Sequence, residues 1–322
     1  MSSNSQLEEK NNTHLVRLNS ITFEANDVLL FELTALNGQS LKSFSAGSHI
    51  DIYLPNGLIR QYSLCNSPLE DHRYVVGVKK DPHSRGGSNF MHDELRVGTE
   101  LKISWPRNNF ELSKDVNHTV LIGGGIGVTP LVSMAHELST KNRSWQLFCS
   151  FKRRSEITLV NQFQSDNIRL HIDEESENGF MDIASILKNA PLGSHFYCCG
   201  PEPMLNHFIE VSKSIDSSRI HFEYFKPVAL ESAGEIFEVK LHKTKKNYWV
   251  KPDQTILQVL QKNGISAPGS CEQGICGTCE TRVIDGIPDH RDVLLSAEER
   301  ASNQVMMICC SRSLSPSITL DL

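Results

Sequence analysis

The sequence lacks long apolar runs, an apolar leader and an excess of basic charge. No apolar stretch approaches the roughly 18 residues that a membrane-spanning helix needs. The N-terminal stretch is polar and mixes acidic with basic side chains, so we expect a disordered lead over residues 1–13 and a cytoplasmic location. The formal net charge of −6 argues against binding to nucleic acid. These absences predict a globular protein with no membrane partner and no nucleic acid partner.

The chain has nine cysteines, and those of the last third follow a pattern. Cys271, Cys276 and Cys279 have the spacing C-x4-C-x2-C, and Cys309 and Cys310 follow downstream. This is the plant-type ferredoxin spacing, in which four thiolates hold one [2Fe–2S] cluster. A disulfide framework is disfavoured without a secretory leader, and structural zinc sites usually pair two C-x2-C units, of which only one is present. The fourth ligand stays open between Cys309 and Cys310, since on a strand only one of two neighbours faces a given side.

Two glycines, Gly274 and Gly277, lie between the cysteines of this loop. A glycine lets the backbone wrap tightly around a cluster, where a Cβ would clash. The bends that it permits can direct N–H groups at the sulfur atoms, and such hydrogen bonds tune the reduction potential. The loop composition therefore favours an iron–sulfur cluster.

The first third, residues 14–112, has the pattern of an antiparallel β-barrel. Apolar residues alternate with others, as at Leu29, Phe31 and Leu33, and turn signals such as Asn37-Gly38 separate the short segments. Short alternating strands with this spacing are typical of all-β barrels.

Two stretches of this predicted barrel carry chemistry. In Arg60-Gln-Tyr-Ser63, an arginine can pair with a phosphate, Tyr62 can lie against a ring system and the Ser63 hydroxyl can hydrogen-bond a ring nitrogen. In Ser84-Arg-Gly-Gly-Ser88, glycines precede a helix whose free N–H groups form an anion site. Together the two stretches predict a phosphorylated flavin in the barrel.

The middle third, residues 113–228, has the pattern of a nucleotide-binding α/β domain. The buried strand His118–Ile122 runs into Gly123-Gly-Gly-Ile-Gly127, and a helix follows with Thr129 as its predicted N-cap. Strand, glycine loop and helix bring backbone N–H groups onto a pyrophosphate. The loop lacks the lysine of a P-loop, which argues against ATP.

Further strand–turn–helix units predict a parallel sheet with its site at the carboxyl edge. The strand His195–Cys199 ends at Gly200-Pro-Glu-Pro-Met204, which places Cys199 at this edge. After another strand comes Lys152-Arg-Arg154, where the acidic residue that often binds an NAD ribose is missing. A basic cluster there can accept a 2′-phosphate or lie in solvent, so the choice between NADH and NADPH stays open.

The last third, residues 229–322, has the pattern of a β-grasp ferredoxin domain. Phe237, Val239 and Leu241 alternate as a strand, and Tyr248-Trp-Val250 is its expected hairpin partner. A helix capped by Thr255 and ended by Gly264 precedes the cysteine loop.

The order of these motifs resembles the phthalate dioxygenase reductase family, which includes the vanillate demethylase and carnitine monooxygenase reductases. The resemblance extends from about Leu15 to Leu322. It implies an FMN-binding barrel, an NAD-binding α/β domain and a [2Fe–2S] ferredoxin domain, with FMN, NADH and the cluster as cofactors.

The resemblance also implies roles for individual residues. Arg60, Tyr62 and Ser63 would contact FMN, and Arg85, Gly87 and Ser88 would hold its phosphate. Gly125, Thr129, Cys199, Gly200 and Met204 would line the NADH site, and Phe225 resembles a family aromatic near the flavin face. Ser63, Cys199 and Phe225 would be the residues at the site of hydride transfer. Cys309-Cys-Ser-Arg312 is similar to a family Cys-x-Ser-Arg ending, which selects Cys309 beside Cys271, Cys276 and Cys279 as the cluster ligands.

These expectations combine into one function. A nicotinamide gives two electrons as a hydride, a flavin can release them singly, and a plant-type cluster carries one at a time. We therefore expect a monomeric reductase component of a two-component Rieske-type oxygenase, with a separate terminal oxygenase as partner. One alternative is a related reductase, with FAD, that serves a haem or hybrid-cluster partner. The other alternative is a zinc-stabilised or redox-sensing binding module.

Overall fold

The computed structural model describes residues 13–82, 84, 86–114, 116–163, 166–177, 179–225, 234–269, 274 and 277–322. The chain divides into two compact units, and the division falls after Phe225. No helix among the described residues is long and apolar enough to cross a membrane. Arg85, Cys271 and Cys276, which were predicted as site residues, lie outside the described residues.

The first unit begins with an antiparallel sheet that closes into the predicted barrel. Its strands are β1 (Thr13–Ala25), β2 (Val28–Ala35), β3 (His49–Tyr53), β4 (Ile59–Ser63), β5 (Tyr74–Lys79) and β6 (Glu100–Ser104), in the order β4-β3-β6-β1-β2-β5. A bridge between Leu64 and Val76 and the 2.9 Å bond from the Cys65 amide to the Val75 carbonyl join the two edges. The short helix α1 (Gly87–Asp93) follows β5.

The same unit contains a five-stranded parallel sheet, as predicted. Its strands are β7 (Thr119–Gly124), β8 (Trp145–Phe151), β9 (Ile168–Ile172), β10 (His195–Cys199) and β11 (Ile220–Glu223), in the order β11-β10-β7-β8-β9. Helices α2 (Val128–Thr140), α3 (Ile183–Asn189) and α4 (Glu202–Ser212) connect these strands. The strand order reverses at β7, and ligands of open parallel sheets bind at the carboxyl ends beside such a reversal.

The prediction that Thr129 caps α2 is wrong. A turn of 3₁₀ helix spans Gly125–Gly127, and α2 begins at Val128 with Gly127 as its N-cap. Thr129 is therefore already helical, and its hydroxyl donates a 2.9 Å hydrogen bond to the Ile126 carbonyl. The helical conformation therefore begins at Gly125, about one turn before the position that Thr129 and Pro130 indicate.

The barrel and the parallel sheet share an interface inside this unit. The Ser133 hydroxyl of α2 donates to the Asn66 carbonyl at 2.9 Å, and the Glu24 carboxylate accepts from the Leu159 amide at 2.6 Å. A Cβ on Gly77 of β5 would lie 3.0 Å from the Thr129 methyl group, so the start of α2 packs directly on the barrel. The nucleotide loop is thereby held beside barrel strand β5.

The second unit has the predicted β-grasp arrangement. Its strands are β12 (Phe237–Leu241), β13 (Asn247–Val250), β14 (Glu280–Asp285), β15 (Pro288–Asp289), β16 (Val305–Met307), β17 (Arg312–Ser313) and β18 (Ser317–Leu320), with helices α5 (Ile256–Lys262) and α6 (Ala297–Ser302). The main sheet has the order β13-β12-β18-β14-β16, with β12 parallel to β18. Thr255 and Gln258 form a capping box on α5, and Gly264 follows the helix at φ +70°, as predicted.

Candidate functional site

The predicted phosphate site brings Arg60 of β4 against the start of α1. A Cβ on Gly87 would lie 2.6 Å from Arg60 Cγ, so a larger residue at this position would have to displace the Arg60 side chain. Gly86 caps α1 at φ +86°. Backbone N–H groups at glycines, with the Arg60 guanidinium beside them, suit a phosphate group. The phosphate accepts hydrogen bonds from the N–H groups and attracts the positive charge.

Hydrogen bonds connect the neighbouring polar groups of this site. The Ser88 hydroxyl accepts from the Asp81 amide at 3.2 Å and lies 3.1 Å from the Ser84 hydroxyl.

Ser63 is buried at the end of β4, and burial raises the pKa of the half-buried Tyr62 above its usual value. Tyr62 therefore stays a neutral phenol that can donate a hydrogen bond.

Two amide side chains that the sequence reasoning missed support a ligand at this place. Within the described residues, Gln61 Oε1 and Asn89 Oδ1 are buried and accept no hydrogen bond. Buried polar atoms are normally satisfied, so each of these oxygens is suited to a donor from a bound group. On strand β4 Gln61 lies on the same face as Ser63, opposite to Arg60 and Tyr62, and Asn89 follows Ser88 in α1. These observations fit a phosphorylated flavin.

The nucleotide loop and the loop after β10 touch each other through glycines. A Cβ on Gly124 would lie 2.8 Å from Met204 Sδ, and a Cβ on Gly200 would lie 2.7 Å from the same atom. A Cβ on Gly127 would lie 2.6 Å from the Cys199 carbonyl carbon. Cys199, Gly200 and Met204 are therefore assembled against the glycine loop, as expected for one binding site.

Gly125 differs from the other glycines of this loop. It has φ +53°, and an added Cβ would meet no atom within 4 Å, so the residue faces open space. Glycine adopts such a positive φ without strain and lets a ligand approach the backbone closely. Gly125 thus leaves open room at the place where a pyrophosphate was predicted.

Cys199 is fully buried at the carboxyl end of β10. Burial and the neighbouring Glu223 raise the pKa of its thiol well above the usual value. The thiol therefore stays protonated at neutral pH and cannot act as a thiolate nucleophile. In its predicted role, Cys199 would place an uncharged side chain beside the transferred hydride.

Glu223 is a residue of this edge that the sequence reasoning missed. It ends β11 directly opposite Cys199, and its Oε2 atom is buried without a hydrogen-bond partner among the described residues. Burial raises the pKa of this carboxyl to about 8, so it is mostly protonated at neutral pH. Phe225, two residues on, is half-buried against the apolar cluster shared by the barrel and the parallel sheet. A carboxylate at the end of the strand Ile220–Glu223, beside the site edge, was the signal available in the sequence.

A carboxylate that the sequence reasoning sought after β8 lies after the adjacent strand β9 instead. Asp173 Oδ1 accepts a 2.7 Å hydrogen bond from the Ser150 hydroxyl of β8. Two of the three basic residues after β8 are engaged with carboxylates: Arg153 pairs with Glu156 at 2.9 Å, and Arg154 pairs with Glu175 at 2.6 Å. The carboxyl edge of the sheet therefore carries the carboxylate of Asp173, whereas Arg153 and Arg154 are already paired with other carboxylates.

In the second unit, two of the four predicted cluster ligands are described. Cys279 and Cys309 are both buried, and the Gly274 amide donates a hydrogen bond to Cys309 Sγ at 3.3 Å. An N–H group directed at this sulfur, in a loop with φ +70° at Gly274, fits a thiolate that ligates an iron–sulfur cluster.

The expectation that Cys309 and Cys310 lie on a strand is wrong. Residues 308–310 form a turn after β16, in which the Cys310 and Ser311 amides both donate to the Met307 carbonyl, at 3.2 and 2.9 Å. Strand alternation therefore does not separate the two thiols, and both lie near Gly274.

Comparisons with known proteins agree with these sites. A family model described as a 2Fe-2S iron-sulfur cluster binding domain matches residues 239–314. The chain is 43% identical over 308 residues to the phenoxybenzoate dioxygenase subunit beta of Ectopseudomonas oleovorans, which covers 95% of this chain and 97% of that protein. It is 32% identical to a solved phthalate dioxygenase reductase, described as modular for electron transfer from pyridine nucleotides to [2Fe–2S], with a TM-score of 0.77 over 98% of this chain and 99% of that one. The chain belongs to the phthalate dioxygenase reductase family.

A second solved structure is a longer protein of another kind. An intact type IV self-sufficient cytochrome P450 monooxygenase matches with a TM-score of 0.85 and 35% identity over 96% of this chain. This chain spans 41% of the length of that protein. Family membership confirms the predicted fold class and an oxidoreductase of the iron–sulfur flavoprotein class. The individual residue roles and the domain boundaries after residues 112 and 228 stay predictions.

Proposed function

We propose that this protein takes electrons from NADH through FMN and a [2Fe–2S] cluster to a separate terminal oxygenase of the Rieske type. The observation that carries the proposal is the packing of the nucleotide loop on the barrel, where a Cβ on Gly77 would lie 3.0 Å from the Thr129 methyl group. A nucleotide bound at that loop and a flavin bound in the barrel would therefore be neighbours. The near full-length similarity to a dioxygenase subunit supports the oxygenase partner.

The residues of the chain bind and orient rather than react. Arg60 and Ser88 would hold the flavin phosphate at Gly87, and Ser63 would donate a hydrogen bond at the ring. Thr129, Gly200 and Met204 would position the nicotinamide, with the protonated thiol of Cys199 beside it. The bound flavin would convert a two-electron hydride into single electrons, and the cluster held by Cys271, Cys276, Cys279 and Cys309 would carry them onward.

The proposal includes two finer statements about the protein in the cell. A single copy of the chain is a sufficient electron donor, because the three sites lie on one chain, so we propose a monomer. A cytoplasmic location accords with thiols that must stay reduced to hold a cluster. The reductase hands over only electrons, so it would not contact the substrate of the oxygenase.

A second candidate is supply of electrons to a haem protein. The similarity to a self-sufficient cytochrome P450 monooxygenase favours it. Turnover of the purified chain with a Rieske oxygenase and with a cytochrome P450, at equal concentrations, separates the two candidates. We expect faster reduction of the Rieske cluster.

The direct test is an anaerobic visible spectrum of the purified protein before and after NADH, with NADPH in parallel. We expect flavin and iron–sulfur bands that both bleach with NADH, and FMN as the extracted flavin. Bands that neither nucleotide bleaches, or a colourless protein containing zinc, would contradict the proposal.

The acidic edge after β9 predicts a preference for NADH over NADPH. Asp173 can accept from a ribose 2′-hydroxyl, whereas a 2′-phosphate would meet its negative charge. We expect Asp173→Ser to lower the ratio of kcat/KM for NADH to that for NADPH at least about tenfold, which is ~1.4 kcal/mol. Steady-state reduction of an artificial electron acceptor measures both constants.

The control is Asp285→Ser, which makes the same change of charge at an exposed position in the other unit. It should leave the ratio unchanged. A preference that does not move in Asp173→Ser would remove this carboxylate from the nucleotide site.

A further inference from the structure

Cys310 is a buried thiol in the cluster domain, and the family pattern gives it no role. It lies on the turn after β16, with Sγ 3.6 Å from the Met307 carbonyl and 5% of the residue exposed. Its chain neighbour Cys309 is the proposed cluster ligand. A cysteine next to a ligand is commonly a core filler, so its contacts decide whether it does more.

The contacts of Cys310 lead to Gly274. A Cβ on Gly274 would lie 2.5 Å from Cys310 Sγ and 3.1 Å from Asp292 Cα, so this glycine is held between the thiol and the Asp292 backbone. The Val293 amide donates to the Gly274 carbonyl at 3.2 Å and fixes the other end of the same residue. The Gly274 amide, held in this way, donates to Cys309 Sγ at 3.3 Å.

We propose that Cys310 is a positioning residue, which keeps the Gly274 amide on the sulfur of Cys309 and so raises the reduction potential of the cluster. The inference rests on the proposed function, because it requires Cys309 to be a cluster ligand. Cys310 does not ligate iron itself.

The physical reason is the charge that arrives with an electron. A hydrogen bond to a ligand sulfur stabilises negative charge on the cluster, and such bonds are one of the factors that set its potential. Gly274 has φ +70° and no side chain of its own to fix it. Removing the sulfur atom of Cys310 leaves a gap beside this backbone, so the amide can turn away from Cys309, and the reduced cluster loses a donor.

The test compares the wild type, Cys310→Ala and Cys310→Ser. We expect full iron content and unchanged visible bands in both variants. At a fixed potential near the wild-type midpoint, the ratio of reduced to oxidised cluster should fall about tenfold in Cys310→Ala, which for one electron is ~59 mV, and less in Cys310→Ser. The electron paramagnetic resonance g-values of the reduced cluster should shift, and the Gly274 amide should exchange with solvent faster.

Cys149→Ala is the matched control, because Cys149 is a fully buried thiol in strand β8 of the other unit. It should leave the cluster potential and g-values unchanged. If Cys310→Ala fails to fold, Cys310→Ser, which keeps a polar atom at the same position, provides the test.

Three outcomes would overturn the inference. One is an unchanged potential with unchanged g-values in both Cys310 variants. The second is an equal shift in Cys149→Ala. The third is loss of iron in Cys310→Ala with retention in Cys309→Ala, which would make Cys310 the ligand. A wild-type protein without iron–sulfur bands would instead refute the proposed function, so the two failures are distinguishable.

Discussion

Gly127→Ala is expected to lower kcat/KM for NADH about a hundredfold while the flavin and iron–sulfur bands remain. Gly127 has φ −62°, which alanine adopts freely, so the change adds no backbone strain. The added Cβ would lie 2.6 Å from the Cys199 carbonyl carbon and 2.8 Å from Gly200 Cα. Both are backbone atoms, so the two loops of the nucleotide site must separate. A displacement of about 1 Å at a reacting centre can cost a factor of about 100 in rate.

Rapid mixing of the oxidised protein with NADH under anaerobic conditions measures this loss directly. Gly127→Val should lose more than Gly127→Ala, because the larger side chain pushes the same carbonyl further. Gly193→Ala is the control: it strains a backbone with φ +81°, and its nearest neighbour is Asn117 at 3.9 Å. We expect it to lower stability without slowing flavin reduction. Equal rates in Gly127→Ala and the wild type would show that the two loops do not form one site.

The parts of this fold that are fixed by local patterns could be predicted from the sequence. The alternation at Leu29, Phe31 and Leu33 indicates a barrel strand, and the structure places these residues on β2. Thr255 and Gly264 bound the ferredoxin helix as predicted, because capping and a positive φ depend on residues a few positions apart. The cysteine spacing indicates the cluster domain for the same reason.

The contacts that assemble the sites could not be predicted in this way. Arg60 meets Gly87 only because the barrel closes; the sequence indicates phosphate chemistry in both stretches but not their direct contact. Asp173 was missed because the carboxylate lies after the neighbouring strand, where sheet order and not sequence order brings it to Ser150. The turn at Cys309 and Cys310 was read as strand because two adjacent apolar thiols fit either conformation.

Arg312→Met is expected to destabilise the ferredoxin unit by about 3 kcal/mol or more, because it removes a buried hydrogen-bond network. The residue is 5% exposed, and its guanidinium lies 5.0 Å from the centre of the Phe237 ring. It donates hydrogen bonds to the carbonyls of Glu235, Lys251, Pro252 and Gln254, at 3.0, 3.2, 3.5 and 2.7 Å. Methionine keeps much of the apolar stem but removes the donor from all four carbonyls, of which those of Glu235, Lys251 and Pro252 belong to exposed residues. A desolvated hydrogen bond to a charged group contributes about 1.5–3 kcal/mol, and water at the exposed carbonyls keeps the total loss below the sum of four such bonds.

Denaturant unfolding followed by the visible iron–sulfur bands measures the change. Arg312→Lys should recover only part of the loss, because one ammonium group has three donors and cannot reach four carbonyls spread over two chain segments. Arg282→Met is the control, since Arg282 is exposed on β14, and it should change the unfolding free energy by less than about 0.5 kcal/mol. If Arg312→Met had the same denaturant midpoint of unfolding as the wild type, the prediction would be wrong, and water would satisfy the four carbonyls in the variant.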